Sequence, residues 1–175
     1  VRLKPAGDDV AAIAAAVADV EADLIVTVGG ASVGDHDLVK PAMRTLGLEQ
    51  TVGSIAVRPG KPTWFGRLGD GRRVLGLPGN PASAFVCAEL FLRPLLSAWQ
   101  GGRADLPLFR MPSAQPIGPA GPREHWMRAI IEPAPDGTLA VRAFPDQESS
   151  LVTVFARANA LVRRRAGAPA AEAGE

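Results

Sequence analysis

Three short loops, each placed directly after a strand-like apolar run, limit what this chain can fold into. They are Thr27-Val-Gly-Gly-Ala-Ser-Val-Gly-Asp-His-Asp37, Arg58-Pro-Gly-Lys-Pro62 and Leu77-Pro-Gly-Asn-Pro-Ala-Ser83. Strand, glycine loop, then helix is the rhythm of an α/β layer whose loops gather beyond the C-terminal ends of the strands. Each loop mixes small residues, which expose backbone N–H groups, with a few charges or hydroxyls. Glycine lets the backbone approach a ligand closely, and successive N–H groups form a concave nest for the oxygens of an anion.

The stretches around these loops read consistently with that layer. Asp8 or Asp9 can cap an alanine-rich helix running to about Val20. Asp23 to Val28 is short, β-branched and continuously apolar, as a buried strand is. A helix is expected from about Asp37 to Leu46, stopped by Gly47, and a second strand from Thr51 to Val57. Thr63 to Leu68 and Arg72 to Leu77 flank Gly69-Asp-Gly71, a hairpin turn. A long helix should run from about Pro81 to Trp99, with Pro94 kinking it. Residues 1–102 thus read as an α/β domain with a mainly parallel sheet.

After Gly101-Gly102 prolines recur and helical periodicity stops. Residues 103–175 read as a small all-β domain with strands at Trp126 to Glu132, Leu139 to Phe144 and Leu151 to Phe155. Asp136-Gly137 marks a hairpin between the first two, and the Ala/Gly/Pro-rich tail from Ala166 should fray.

Composition excludes several partners. A net charge of +1 gives no field for nucleic acid or an anionic membrane. No apolar run reads as the ~20 residues of a membrane span. The single cysteine, Cys87, cannot form an internal disulfide and sits in an apolar helical pattern, so a buried thiol and a cytoplasmic protein are expected.

The loops also carry specific chemistry. In the first, backbone amides, Ser32 and a helix N-terminus can hold phosphate, and Asp35 and Asp37 then call for a cation between carboxylate and ligand, for which Mg²⁺ is suited. A plain helix cap at Asp37 explains that residue as well. His36 has no second His or Cys at ligand spacing and reads as a solvent-facing loop residue. In the second loop, Arg58 and Lys61 flank a glycine turn stiffened by Pro59 and Pro62, which makes a compact oxyanion clamp. In the third, Asn80 can cap a helix that begins at Pro81, and Ser83 lies in its first turn.

Together, Gly29 to Asp37, Arg58 to Pro62 and Gly76-Leu-Pro-Gly-Asn-Pro-Ala-Ser83 resemble the molybdopterin molybdotransferase family, which includes the C-terminal enzyme domain of gephyrin. Asp146-Gln-Glu-Ser-Ser150 and Arg157-Ala-Asn-Ala-Leu161 resemble it more weakly. The segments fall in family order over roughly residues 8–165. The resemblance implies a molybdopterin-binding α/β domain followed by a barrel-like β domain. It also implies the insertion of molybdate into adenylylated molybdopterin with release of AMP and a need for Mg²⁺. On it, Asp35 and Asp37 belong to the metal, with Asp37 and Lys61 catalytic. Arg58, Lys61 and Ser83 hold molybdate, completed by Arg128 and Ser149. Gly29, Gly30, Ser32, Gly34, Pro62, Gly79 and Asn80 line the substrate.

The resemblance further implies an elongated homodimer whose site draws on both subunits, and a molybdopterin adenylyltransferase as partner. Arg58 stands where the family usually has lysine. The family's first two domains, and the opening strand and helix of its molybdopterin-binding domain, would precede Val1. The chain is therefore expected to be a C-terminal portion, with an α/β domain incomplete at its N-terminus and by itself an inactive fragment. Two other readings fit the same loops. One is an adenylyltransferase-like enzyme, against which the Pro-Gly-Lys-Pro loop and the trailing β domain speak. The other is a non-catalytic, peptide-binding scaffold, which has no need of convergent Asp37, Arg58, Lys61 and Ser83.

Overall fold

The computed structural model describes residues 1–3, 5–30 and 37–175. In chain order the elements are α1 (Val10–Ala18), β1 (Leu24–Val28), α2 (Val39–Thr45), β2 (Glu49–Val52), β3 (Val57–Arg58), β4 (Trp64–Arg67), β5 (Arg73–Leu77), α3 (Pro81–Cys87), a π-helical turn (Ala88–Leu92), α4 (Arg93–Trp99), β6 (Glu124–Pro133), β7 (Leu139–Ala143), a 3₁₀ turn (Thr153–Ala156) and β8 (Ala160–Arg164). The chain forms two compact units. Val1–Ile55 joins Gly60–Asn80 in the first, and Ala56–Pro59 joins Pro81–Glu175 in the second.

In the first unit Asp9 caps α1, its Oδ1 accepting from the Ala12 N–H at 2.7 Å. At the other end Arg72 closes the helix, donating to the carbonyls of Val17 (2.7 Å) and Val20 (2.8 Å). The sheet has the order β1-β5-β4-β2. Only β1 and β5 run parallel; the β5–β4 and β4–β2 pairs are antiparallel. The sheet is thus mixed rather than mainly parallel, and the expected hairpin is the reason. Leu68 donates to the Arg72 carbonyl at 2.8 Å and Gly71 sits at φ +94, so the turn folds β4 straight back along β5. Val17, Ile25, Ala42, Met43, Trp64, Leu68 and Val74 form the core under α1 and α2.

The expected strand from Thr51 to Val57 is two strands in two sheets. Glu49–Val52 pairs with β4 across a register shift, whereas Val57–Arg58 pairs parallel with β6 in the second unit. Gly53-Ser54 separates them, and the Ile55 N–H donates to the Lys61 carbonyl at 3.0 Å. β-Propensity marks extended backbone without saying which sheet receives it.

In the second unit the expected long helix is present, but Pro94 does not simply kink it. The chain widens into the π turn Ala88–Leu92 ahead of Pro94, which then occupies the first turn of α4, where its missing N–H costs little. By length and composition Pro81–Trp99 passes for a membrane span, contrary to the expectation from the sequence. Its Val86 and Leu90 nevertheless pack on Trp126 with Val57, Phe155 and Leu161 around them. The sheet places β3 and β7 on one side of β6 and β8 on the other. No pairing closes it into a barrel among the described residues. The Asp136-Gly137 hairpin forms as read, with Gly137 at φ +83. Two expectations fail here. Leu151 to Phe155 contains a 3₁₀ turn instead of a strand, and β8 takes that place beside β6. The tail does not fray, because it meets the proline-rich stretch: Ile117 and Ala171 exchange backbone hydrogen bonds at 2.8 and 2.9 Å, and Ser113 donates to Glu175 at 2.8 Å.

Trp64 and Gly76 are register partners at the C-terminal end of β5, and a Cβ on Gly76 would fall inside the Trp64 indole. Trp64 is fully buried, so the ring has nowhere to go. Gly76→Ala should therefore destabilise the chain by about 3 kcal/mol or more, with Trp64→Leu restoring part of the loss in the double variant. Urea unfolding of the single and double variants measures this; a Gly76→Ala protein as stable as wild type would contradict the packing.

Candidate functional site

The site grows from the way β1 and β5 end together. The parallel ladder continues one residue past the strands, the Gly29 N–H donating to the Leu77 carbonyl at 3.2 Å. Gly29 then turns through φ +91 and Gly30 through φ +62, which favours glycine at both. A Cβ on Gly79 would stand 3.3 Å from the Gly29 Cα, so the first and third loops touch backbone to backbone. Because β4 runs antiparallel to β5 and starts opposite Gly76, Gly60 to Thr63 enter at this same edge. Thr63 fixes that entry, donating from N–H (2.9 Å) and from Oγ1 (2.8 Å) to the Gly60 carbonyl.

Three expected site features converge here, at the strand C-terminal edge of the first unit. Gly29 and Gly30 come from the first loop, Lys61 and Pro62 from the second, and Gly79 and Asn80 from the third. Lys61 is exposed, and no acidic side chain pairs with it among the described residues. Asp37 lies just ahead of α2, where a Cβ on Gly30 would be 3.3 Å from its Oδ1 and would collide with Val39. That oxygen is buried and has no hydrogen-bond partner among the described residues. Leu38 occupies the N-cap position and makes no side-chain bond, while the Val39 and Lys40 N–H groups of the first turn face the Asp37 carboxyl. Burial pushes the Asp37 carboxyl above its ordinary range. The Lys40 charge, the backbone N–H groups of Lys40 and Val39, and the Arg44 charge pull it back only in part. Thr27 Oγ1 and Trp64 Nε1, on either side of Gly76, are also buried without partners among the described residues. Ser32, Gly34, Asp35 and His36 lie outside the described residues.

Arg58, Ser83, Arg128 and Ser149 belong to the second unit. Arg58 is exposed at the end of β3 and pairs in register with His125. Ser83 is buried in α3, next to Ala82, whose N–H donates to the Ser149 carbonyl at 3.2 Å. Arg128 is only 1% exposed, and its guanidinium is already engaged. It donates to the Leu151 carbonyl (3.0 Å), Gln147 Oε1 (3.4 Å) and the Asp146 carbonyl (3.4 Å). Its visible work is to hold the Asp146–Leu151 segment against β6. Sequence reasoning missed His125 and Arg123. The signal was available: Arg123, His125 and Arg128 crowd the start of one strand. His125 is half-buried and pushed down to about 4, first by burial and then by the charges of Arg58, Arg123 and Arg128.

Residues 1–98 match the family described as a probable molybdopterin binding domain, and residues 110–175 match the MoeA C-terminal region, domain IV. The chain belongs to the MoeA-like family. It is similar to the molybdopterin molybdenumtransferase of Haemophilus influenzae, at 32% identity over 144 residues, covering 81% of this chain and 35% of the relative. It is similar to molybdopterin molybdenumtransferase 1 of Mycobacterium tuberculosis, at 33% identity over 162 residues, covering 88% and 37%. Among solved structures, a molybdopterin biosynthesis moea protein from Pyrococcus horikosii superposes with a TM-score of 0.71 at 26% identity, covering 95% of this chain and 38% of that one. This MoeA-like chain thus spans little more than a third of the length of these relatives.

The environment of His125 makes stability depend on pH. Its folded-state value lies below the ordinary 6.5, so between about 4 and 6.5 the unfolded chain binds the proton more readily. The contribution is complete above 6.5 and is lost as pH falls toward 4. Between pH 7 and 4.5 the wild type should lose roughly 1 kcal/mol more than His125→Gln, a figure reduced for partial exposure. Parallel pH profiles of the urea midpoint for the two proteins would contradict this.

Proposed function

We propose that this chain carries the molybdate-insertion half of molybdenum cofactor biosynthesis: adenylylated molybdopterin and molybdate react to give molybdenum cofactor and AMP. The carrying observation is the shared edge of the first unit, where a buried carboxylate oxygen, a lysine with no acidic partner among the described residues and two glycine loops meet. Cleaving a phosphoanhydride calls for positioned charge more than for a protein nucleophile, and this edge supplies charge of both signs. The match of residues 110–175 favours this reading over an adenylyltransferase-like enzyme. It also supports the division into a molybdopterin-binding domain over 1–102 and a β domain over 103–175. A homodimer, a molybdopterin adenylyltransferase partner and a cytoplasmic setting complete the proposal.

In this reading Gly29, Gly30, Gly79 and Asn80, with Ser32 and Gly34, line the pyrophosphate and pterin. Arg58, Lys61 and Ser83 hold molybdate, beside Pro62, Arg128 and Ser149. Mg²⁺ fits Asp37, whose buried Oδ1 is an oxygen ligand without a hydrogen bond among the described residues, and Asp35 would be its second carboxylate. When bound, the ion neutralises charge on the phosphoanhydride. The chain's own residues do the rest. Lys61 presents a point charge from a turn braced by Pro59 and Pro62, so little ordering entropy is lost on binding.

Lys61→Ala should weaken molybdate binding by roughly 10- to 150-fold, the worth of one charge-assisted hydrogen bond of ~1.5–3 kcal/mol. Equal molybdate titrations for the two proteins would refute the assignment. Asp37→Asn should abolish the stabilisation that Mg²⁺ confers. Without Mg²⁺ it should be at least as stable as wild type at pH 7, because the fold disfavours the ionised carboxyl. Thermal melts with and without Mg²⁺ test both statements, and an undiminished Mg²⁺ response in Asp37→Asn would remove the metal from this residue.

A further inference from the structure

Arg58, His125 and Arg164 stand in one transverse row of the second sheet. Arg58 is the register partner of His125 across β3 and β6, and His125 of Arg164 across β6 and β8. Register partners project from the same face, with neighbouring strands ~4.8 Å apart. Strand alternation sends Glu124 and Trp126 to the opposite face. There Glu124 accepts from Arg163 at 2.7 Å and from Trp126 Nε1 at 2.7 Å. The acid adjacent to His125 in sequence is therefore turned away and occupied. Arg164 donates to the carbonyls of Gly118 (3.4 Å) and Pro169, and Arg128 is consumed by the Asp146–Leu151 segment. Arg58 and Arg123 make no ion pair among the described residues. Two unbalanced guanidinium groups thus flank a half-buried imidazole.

We infer that His125 is a specificity-determining residue of the oxyanion site at Arg58: a tetrahedral dianion bound beside Arg58 draws one proton from solvent onto His125, whose second N–H then points to the anion. This rests on the reading of Arg58 as an oxyanion ligand. A neutral imidazole has one N–H and one lone pair, and the lone pair repels an oxyanion. In the free protein, burial and the charges of Arg58, Arg123 and Arg128 keep the ring neutral at pH 7. Arg164 from β8 adds to the same sign. A dianion offsets both free guanidinium groups at once and makes the imidazolium favourable. A monoanion of the same shape offsets only one, so the ring stays neutral. The residue therefore discriminates by charge between anions that geometry alone cannot tell apart.

Sulfate and perchlorate, tetrahedral and non-titrating near neutrality, are the probes. Calorimetric titration of the full chain at pH 7.5 and 5.5, in two buffers of different ionisation enthalpy, reads both affinity and proton uptake. Sulfate affinity should rise roughly tenfold between these pH values, within the limit of tenfold per pH unit for one proton. Perchlorate affinity should not change. His125→Gln should stay within about twofold of wild type at pH 7.5 and lose the rise. The chain has only two histidines, His36 and His125. Ring NMR of the wild type should therefore show one of them titrating higher with sulfate, and this reading does not depend on any variant folding. An equal rise in His125→Gln, or a ring titration unmoved by saturating sulfate, would overturn the inference. Arg58→Gln separates it from its premise. If that variant binds sulfate as wild type does at both pH values, the Arg58 site itself fails. If it binds weakly while wild type takes up no proton, only the role of His125 fails.

Discussion

The first unit depends on one close approach: the parallel ends of β1 and β5 meet with no side chain between them. Gly29 donates to Leu77, Gly79 faces the Gly29 Cα, and Gly76 gives its side-chain space to Trp64. Each glycine serves a different neighbour. Gly29 and Gly30 turn the chain through positive φ, Gly76 admits an indole, and Gly79 lets two backbones touch. Side chains at these positions would push the strand ends apart. The buried Trp64 also ties the edge to the core, since it packs with Val74 and Met43 below while Lys40 stands 5.9 Å over its ring.

Electrostatics on the two units follow opposite logics. At the first-unit edge the unusual group is an acid: Asp37 is partly desolvated and its Oδ1 lacks a hydrogen bond among the described residues, although Lys40 and Arg44 act on it. Along β6 of the second unit the excess is positive, and the acids nearby are already bonded. A carboxylate held above its ordinary range is receptive to a cation, and a group of uncompensated guanidinium groups to an anion.

Local signals carried the first unit well. The apolar run of Leu24 to Val28, the glycine turn at residues 69–71 and the acidic cap of α1 each depend on a few adjacent residues, and the structure has all three, although β1 is an edge strand with Val26 and Val28 exposed where a buried strand was expected. What failed depended on distant partners. Val57-Arg58 looks like the end of the preceding strand, yet its ladder is with β6, nearly seventy residues on. The tail from Ala166 has the composition of a frayed end, yet its N–H and C=O groups meet those of Ser113 and Ile117. Leu151 to Phe155 has strand propensity, but the Arg128 guanidinium holds the Leu151 carbonyl and the chain turns there instead. The site shows the same division. The placement of the motif glycines and Lys61 at the strand ends was legible, whereas the engagement of Arg128 and the position of His125 beside Arg58 depend on sheet register, which no local pattern contains.

The segment from Ile55 to Thr63 shows how this register reaches the chemistry. Its backbone is anchored separately in two cores. Ala56 accepts from Glu124 and β3 lies along β6, while Lys61 accepts from Ile55 and Gly60 accepts from Thr63. Arg58 therefore takes its direction from the second sheet, and Lys61 from the first, although only Pro59 and Gly60 separate them. Arginine rather than lysine at position 58 suits this arrangement. A guanidinium offers a planar fork of donors whose usefulness depends on a fixed direction, and a strand register fixes direction better than a loop does. Lys61, on a braced turn, carries a compact ammonium with freely rotating donors, whose use depends less on direction. The two cations in this short loop are thus not equivalent. One is placed by sheet pairing, and the other by turn stiffness.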